Sequence, residues 1–227
     1  MVSCTISTAL IAGLFAGLCL FLVQRSLTLP LIHRAQTLEK ATSNESAPDP
    51  FASEPMRSLS TLLGDLFVGI GFGLILIGVF ALTGREGWFP GLLFGAAGFA
   101  VFHAAPAMVV PPALPGIDAA PLLLRQIGWL TAVISAGAGF TVIYTAKGPA
   151  KLVGILVLAL PPMIFRTVLP IAPAQTSSQA LAAIDRIFML RTLASMLTFW
   201  LMLGIATGYL FARKRGNATT RFADGPP

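Results

Sequence analysis

WFPGLLFGAAGFAVFHAAPAMVVPPALPGIDAAPLLLRQIGW, residues 88–129, runs from a glycine-rich apolar segment into a set of prolines and back into an apolar segment. Residues 89–110 read as a helix that crosses a membrane. Trp88 and Phe89 open it, and such aromatics settle at the water–lipid interface. Gly91 and Gly95 stand four residues apart, with Gly98 on the adjacent side, so a second helix can approach closely. One ionisable side chain, His103, lies inside the run. Pro106 supplies no N–H to the carbonyl of Phe102, and Pro111 and Pro112 end any helix that continues. Backbone laid bare at membrane depth is tolerated only against protein, water or an ion. The stretch therefore predicts a helix, a proline-punctuated loop over 106–121 and a further helix from about residue 127.

The rest of the chain agrees. Of 227 residues, 56% are hydrophobic and 11% are charged, against roughly 25% charged in soluble domains. A soluble globular protein is excluded. Uncharged runs of about 20 residues match a hydrocarbon core about 30 Å thick. The prediction is an all-α integral membrane bundle forming one polytopic domain, with spans at 3–23, 59–83, 89–110, 127–146, 152–169 and 193–211. A polar segment fills 24–58 and a tail fills 212–227. Residues 1–24 carry no charge and Arg25 is the first basic residue, so the opening run reads as a retained span rather than a cleaved signal. Small residues recur four apart at Ala9, Gly13 and Gly17 and again at Gly204 and Gly208. Within 24–58, residues 27–40 read as an interfacial helix and the remainder as a Ser-, Asn- and Pro-rich loop.

The fifth apolar segment leaves two readings open. Pro161 and Pro162 interrupt it and Arg166 follows, so it is either a kinked span or a segment that enters and leaves by one side. The bundle accordingly has five to six spans. With six, both termini share a side, which Arg213, Lys214 and Arg215 assign to the cytoplasm. With five, the termini lie on opposite sides and the 24–58 segment can also face inward. The net charge of +6 lies outside the spans, where it sets topology and meets anionic lipid. Basic residues interleaved with aromatics, the nucleic-acid pattern, are missing, so no nucleic-acid partner is expected. Cys4 and Cys19 share the first span about 22 Å apart, and are expected to be structural thiols.

No phosphate loop, dinucleotide turn, zinc spacing or heme histidine pair is present, so neither a catalytic site nor a resident cofactor is expected. Three residues remain as metal candidates: His103, Asp65 and Met108. An imidazole beside interrupted backbone suits a transient divalent transition metal, and Met108 adds a soft sulfur if the helix bends across the five-residue offset. The alternative is a histidine hydrogen-bonded near the interface at the end of a proline-stopped helix. Asp65 falls in the first two turns of the predicted second span. There it is either an interfacial carboxylate favoured by the helix dipole or a cation ligand at the mouth of a path. His33, next to Arg34, reads as solvated.

Several motifs carry a resemblance. VQR at 23–25 leading to LPLIHRAQ at 29–36, GLLFGAAGFAVFHAAPAMVVPPALPG at 91–116, RQIGWL at 125–130, LVLALPPMI at 156–164 and FWLMLGIATGYLFAR at 199–213 together resemble the CbtA family of cobalt transporter subunits. The likeness covers most of the chain, the 41–58 loop excepted. It implies an integral protein of five or six spans taking part in cobalt uptake, with no ATPase and no established catalytic residue. It also implies a small one-span companion, CbtB, with a histidine-bearing tail. Two positions depart from the family pattern: Ala113 replaces a common acidic residue in the proline turn, and Pro162 replaces a common histidine. The resulting expectation is a membrane subunit of a cobalt or related divalent-metal uptake system. It would sit in the bacterial cytoplasmic membrane, contact the lipid bilayer and a CbtB-like subunit, and pass the cation between its helices. The alternative is a non-transporting scaffold or assembly subunit that packs a partner helix.

Overall fold

The computed structural model of the chain describes residues 2–42, 54–114, 120–167 and 179–223. The elements are α1 (Val2–Leu27), α2 (Leu29–Thr42), α3 (Glu54–Thr83), α4 (Trp88–Phe99), a π-helical turn (Ala100–Ala104), α5 (Ala105–Ala107), α6 (Leu122–Thr145), a 3-10 turn (Gly148–Ala150), α7 (Lys151–Thr167) and α8 (Gln179–Ala223). Among the described residues there is no strand. Six helices among the described residues are long and apolar enough to cross a membrane: Ile6–Thr37, Pro55–Thr83, Trp88–Ala107, Leu122–Thr145, Gly148–Phe165 and Gln179–Gly216. The fold is an all-α membrane bundle, and the disputed fifth segment is one of the six. The helix expected over 27–40 is α2. The 43–53 part of the polar segment, the end of the proline turn at 115–119, the loop at 168–178 and the end of the tail at 224–227 lie outside the described residues.

The residues fall into two compact units, Met1–Ser26 with Ser46–Ala96 and Ser195–Pro227, and Leu27–Glu45 with Ala97–Ala194. In the first, the small-residue faces become helix crossings. A Cβ built on Gly13 would lie 2.6 Å from the carbonyl oxygen of Gly69, one on Gly17 2.5 Å from that of Asp65, and one on Gly73 3.0 Å from that of Ala9. The numbers rise on α1 as they fall on α3, so the two helices run antiparallel. The same pattern pairs α4 with α8: Gly91 meets Gly204, Gly95 meets the Trp200 backbone, and Gly208 meets Gly87. Lipid is as apolar as leucine, so close van der Waals contact, rather than escape from water, drives such pairing. Aromatic rings fill the space between α3, α4 and α8. Phe80 packs on Phe94 at 5.2 Å and on Phe211 at 5.9 Å, and Phe72 on Trp200 at 4.6 Å.

In the second unit, α6 and α7 form an antiparallel hairpin. Gly148, at φ +58, takes the left-handed conformation that closes the turn. Gly139 and Gly154 then meet backbone to backbone. Pro161 and Pro162 lie inside α7 without ending it. The reason is local. Pro161 supplies no N–H to the carbonyl four residues earlier, that of Val157, and Ser135 on α6 donates its hydroxyl to that same oxygen. A borrowed donor thus replaces the missing one. Ser135→Ala is expected to destabilise the protein by about 0.6–1.7 kcal/mol. On a Pro161→Ala background, which restores the backbone N–H, the same change costs less. Reversible unfolding of the four proteins in mixed micelles, analysed as a double-mutant cycle, reads this coupling, and a coupling of zero would reject it.

Two apolar clusters complete this unit. Val109, Ala132 and Phe165 pack with Val110 and Leu124. Ala35, Leu114 and Leu181 pack with Ile32, Ile184 and Phe188, seating the proline turn on α2 and the start of α8.

Candidate functional site

Asp65 lies on α3, one of the helices long and apolar enough to cross a membrane. The helix begins at Glu54 rather than near residue 59, which puts Asp65 about 16 Å along α3 and about 27 Å before Thr83 at 1.5 Å per residue. Pro55 does not stop the helix because in the first turn its missing N–H has no intrahelical partner to serve. The side chain of Asp65 is only 9% exposed. It sits at the α1–α3 crossing, where Gly17 presses on the Asp65 backbone. Gln24 on α1 donates from Nε2 to Oδ1 at 3.5 Å. The other carboxyl oxygen, Oδ2, is buried and has no hydrogen-bond partner among the described residues. The nearest cation on α1, Arg25, donates instead to Ser58 Oγ at 3.1 Å.

His103 belongs to the π-helical turn Ala100–Ala104, in which the N–H of Ala105 reaches back to the carbonyl of Ala100. Single π turns recur at functional sites because the extra residue re-aims the side chains around it. The imidazole is half-buried and lies parallel to the Phe99 ring, 6.3 Å between centroids and 3° between planes. Phe102 and His103 both have further interaction partners. The helix does not stop at Pro106. It continues to Ala107, and Met108 caps it, with its amide on the carbonyls of Ala105 and Pro106. The proline-broken loop therefore begins at Met108, two residues later than predicted. Met108 itself is 71% exposed.

Asp65 belongs to the first compact unit, and His103 and Met108 to the second. Among the described residues no three of His, Cys, Asp and Glu come together. Two polar groups that bear on the site were not singled out in the sequence. Gln24 looked like the start of a polar segment, yet it is the hydrogen-bond partner of Asp65. Asp185 lies between the fifth and sixth predicted spans, yet its Oδ1 accepts the N–H of Leu114 at 2.8 Å and pins the proline turn to α8. Six residues on, Arg191 donates to the carbonyl of Leu27, the last residue of α1, at 3.0 Å. The apolar spacing Leu181, Ile184, Phe188 was the signal that this region is helical.

Residues 3–212 match the family model described as "Probable cobalt transporter subunit (CbtA)". The chain belongs to the CbtA family. No curated protein and no solved structure matches it. Membership accounts for nearly the whole chain and agrees with the six apolar helices. This CbtA chain is an integral membrane protein and a cobalt transporter subunit, and Asp65 and His103 are ionisable residues within its spans.

Proposed function

We propose that this CbtA protein carries cobalt, or a related divalent transition metal, into the cell along a path between its helices. Asp65 receives the cation at one mouth, and His103 and Met108 serve it elsewhere. The protein has no catalytic activity and no resident cofactor, because the metal is cargo. It works in the bacterial cytoplasmic membrane beside a small single-span CbtB-like subunit. One observation carries this reading. A carboxylate within a membrane span is costly and marks an ion pathway by default, and Asp65 is nine-tenths buried with Oδ2 unsatisfied among the described residues.

A second reading, a scaffold that holds a partner helix and moves nothing, is favoured by a different feature. Gly64, Gly71 and Gly78 recur every seven residues along α3, and a Cβ on any of them would meet nothing within 4 Å among the described residues. Such a stripe suits a close-packed helix from another chain.

Accumulation of radioactive cobalt in cells with and without the gene tests both. Expression is expected to raise accumulation. Asp65→Asn is expected to lower the apparent affinity about tenfold, equivalent to ~1.4 kcal/mol, and His103→Ala to reduce uptake as well. Equal accumulation with expression confirmed removes the transport reading. Uptake that survives both substitutions but is lost with Gly71→Leu selects the scaffold.

A further inference from the structure

The structure assigns a binding site for an anionic phospholipid headgroup to one end of the first compact unit, where the α3–α4 turn meets the basic end of α8. This inference goes beyond the transport reading and does not depend on it.

The charge that lies outside the spans is gathered here. α3 ends at Thr83 and α4 begins at Trp88, with Arg85 and Glu86 in the turn between them. Gly84 and Gly87, at φ +65 and +107, supply the left-handed conformations that fold this turn. The N–H of Gly87 donates to the carbonyl of Gly208 on α8 at 3.2 Å, an approach that a Cβ at Gly208 would block. This link between backbones sets the turn beside Arg213, Lys214 and Arg215, which follow Gly208 within about two turns of α8. Arg215 meets Glu86 at 3.8 Å, and its guanidinium lies over the Phe211 ring, 5.9 Å from the centroid. Lys214 donates to Ser7 Oγ near the start of α1. Arg85 and Arg213 are exposed.

Among the described residues at this end, four basic side chains stand against one acid, Glu86, which leaves three positive charges in excess. Residues 217–227 add one base and one acid, Arg221 and Asp224, so the excess is unchanged in sequence. Like charges held this close repel one another, and an anion among them relieves the repulsion. Guanidinium groups take phosphate oxygens through paired N–H bonds. The neighbouring side chains make that phosphate a lipid's. Trp88 and Phe89 follow the turn directly and are exposed, as is Tyr209, one turn before Arg213 on α8. Such rings settle at headgroup level, which puts the basic groups where a phosphodiester lies. Leu82, 89% exposed at the end of α3, offers apolar surface to the acyl chains.

Quenching of tryptophan fluorescence by brominated lipid, with the full-length protein in phosphatidylcholine vesicles, reads the lipid beside Trp88. The Trp88 signal is the difference between each protein and its Trp88→Phe counterpart. Brominated phosphatidylglycerol is expected to quench Trp88 more than the same fraction of brominated phosphatidylcholine, a preference of about tenfold or more in relative binding constant. Arg85→Gln and Arg213→Gln are each expected to lower that preference about fivefold, equivalent to ~1 kcal/mol. Arg213→Lys keeps the charge and is expected to retain most of it, which guards against misfolding of the glutamine variant. Arg25→Gln, beside Ser58 near the start of α3, is expected to leave it unchanged. Equal quenching by the two lipids overturns the site, as does a preference that survives both Arg85→Gln and Arg213→Gln. A preference that Arg25→Gln lowers as far reports attraction to the whole surface and overturns it too. Loss of the phosphatidylglycerol signal to excess inorganic phosphate at constant ionic strength gives the cluster to a soluble anion and overturns the lipid.

Discussion

Gly204→Val is expected to abolish the packing of α4 on α8. A Cβ at Gly204 collides with the carbonyl oxygen of Gly91, and lies 2.9 Å from the Cα and 3.0 Å from the N of Gly95. All three are backbone atoms on the facing helix, so no side-chain rotation relieves them. Alanine already forces the helices apart, and valine adds two methyl groups to the same space. Overpacking costs about 1–3 kcal/mol where side chains can yield, and here the loss lies at or above the top of that range. Separation also forfeits the contacts of Gly95 with the Trp200 backbone and of Gly208 with Gly87. Lipid offers nothing in exchange, since the association rests on close contact. The control is Gly71→Val on α3, where a Cβ meets nothing within 4 Å among the described residues and the expected change is within about 0.5 kcal/mol. Yield of monodisperse protein in detergent and thermal unfolding compare the two. If both variants behaved alike, Gly91 and Gly204 would not form the crossing.

Much of this was legible in the sequence, and the limits have physical reasons. Periodicity shows that a helix has a small-residue face, but not which helix meets it. Ala9, Gly13 and Gly17 were visible as one face, whereas their partners Gly73, Gly69 and Asp65 were not. Proline was the weaker guide. Pro55 looked like loop because its place in a first helical turn depends on where the helix starts. Pro161 looked like an interruption because its remedy, Ser135, lies on another helix. Pro106 marked a break whose onset a π turn moved past it. The site divides in the same way. Asp65 and His103 stood out as ionisable groups in apolar runs, which is a local signal. Gln24 and Asp185 did not, because each acts on a group 41 or 71 residues away, and nothing in the local pattern encodes that distance.

Asp185→Ala is expected to release the proline turn while leaving the helices in place. The N–H of Leu114 follows Pro111, Pro112 and Ala113, and its acceptor is the carboxylate of Asp185 at 2.8 Å. Leu114 is 3% exposed and packs with Ala35 and Leu181, so water cannot easily replace the lost acceptor. Leaving such a donor unsatisfied costs about 1–3 kcal/mol. The cost falls on the turn rather than on the bundle, because Asp185 holds one end of an irregular segment while glycine contacts hold the α6–α7 hairpin. Hydrogen exchange reads this directly. Exchange at the Leu114 amide is expected to accelerate about 10–100-fold, tenfold for each 1.4 kcal/mol. Peptides from α6 and α7 are expected to keep their protection. Asp185→Asn retains a carbonyl oxygen at the same place and is expected to fall between wild type and alanine, since a neutral acceptor forms the weaker bond. Unchanged exchange at Leu114 in the alanine variant would show that the apolar cluster alone holds the turn. If the turn borders the cobalt path, uptake falls in the same order, wild type above asparagine above alanine. Uptake that ignores this order separates the turn from the path even where Asp185 is confirmed as its anchor.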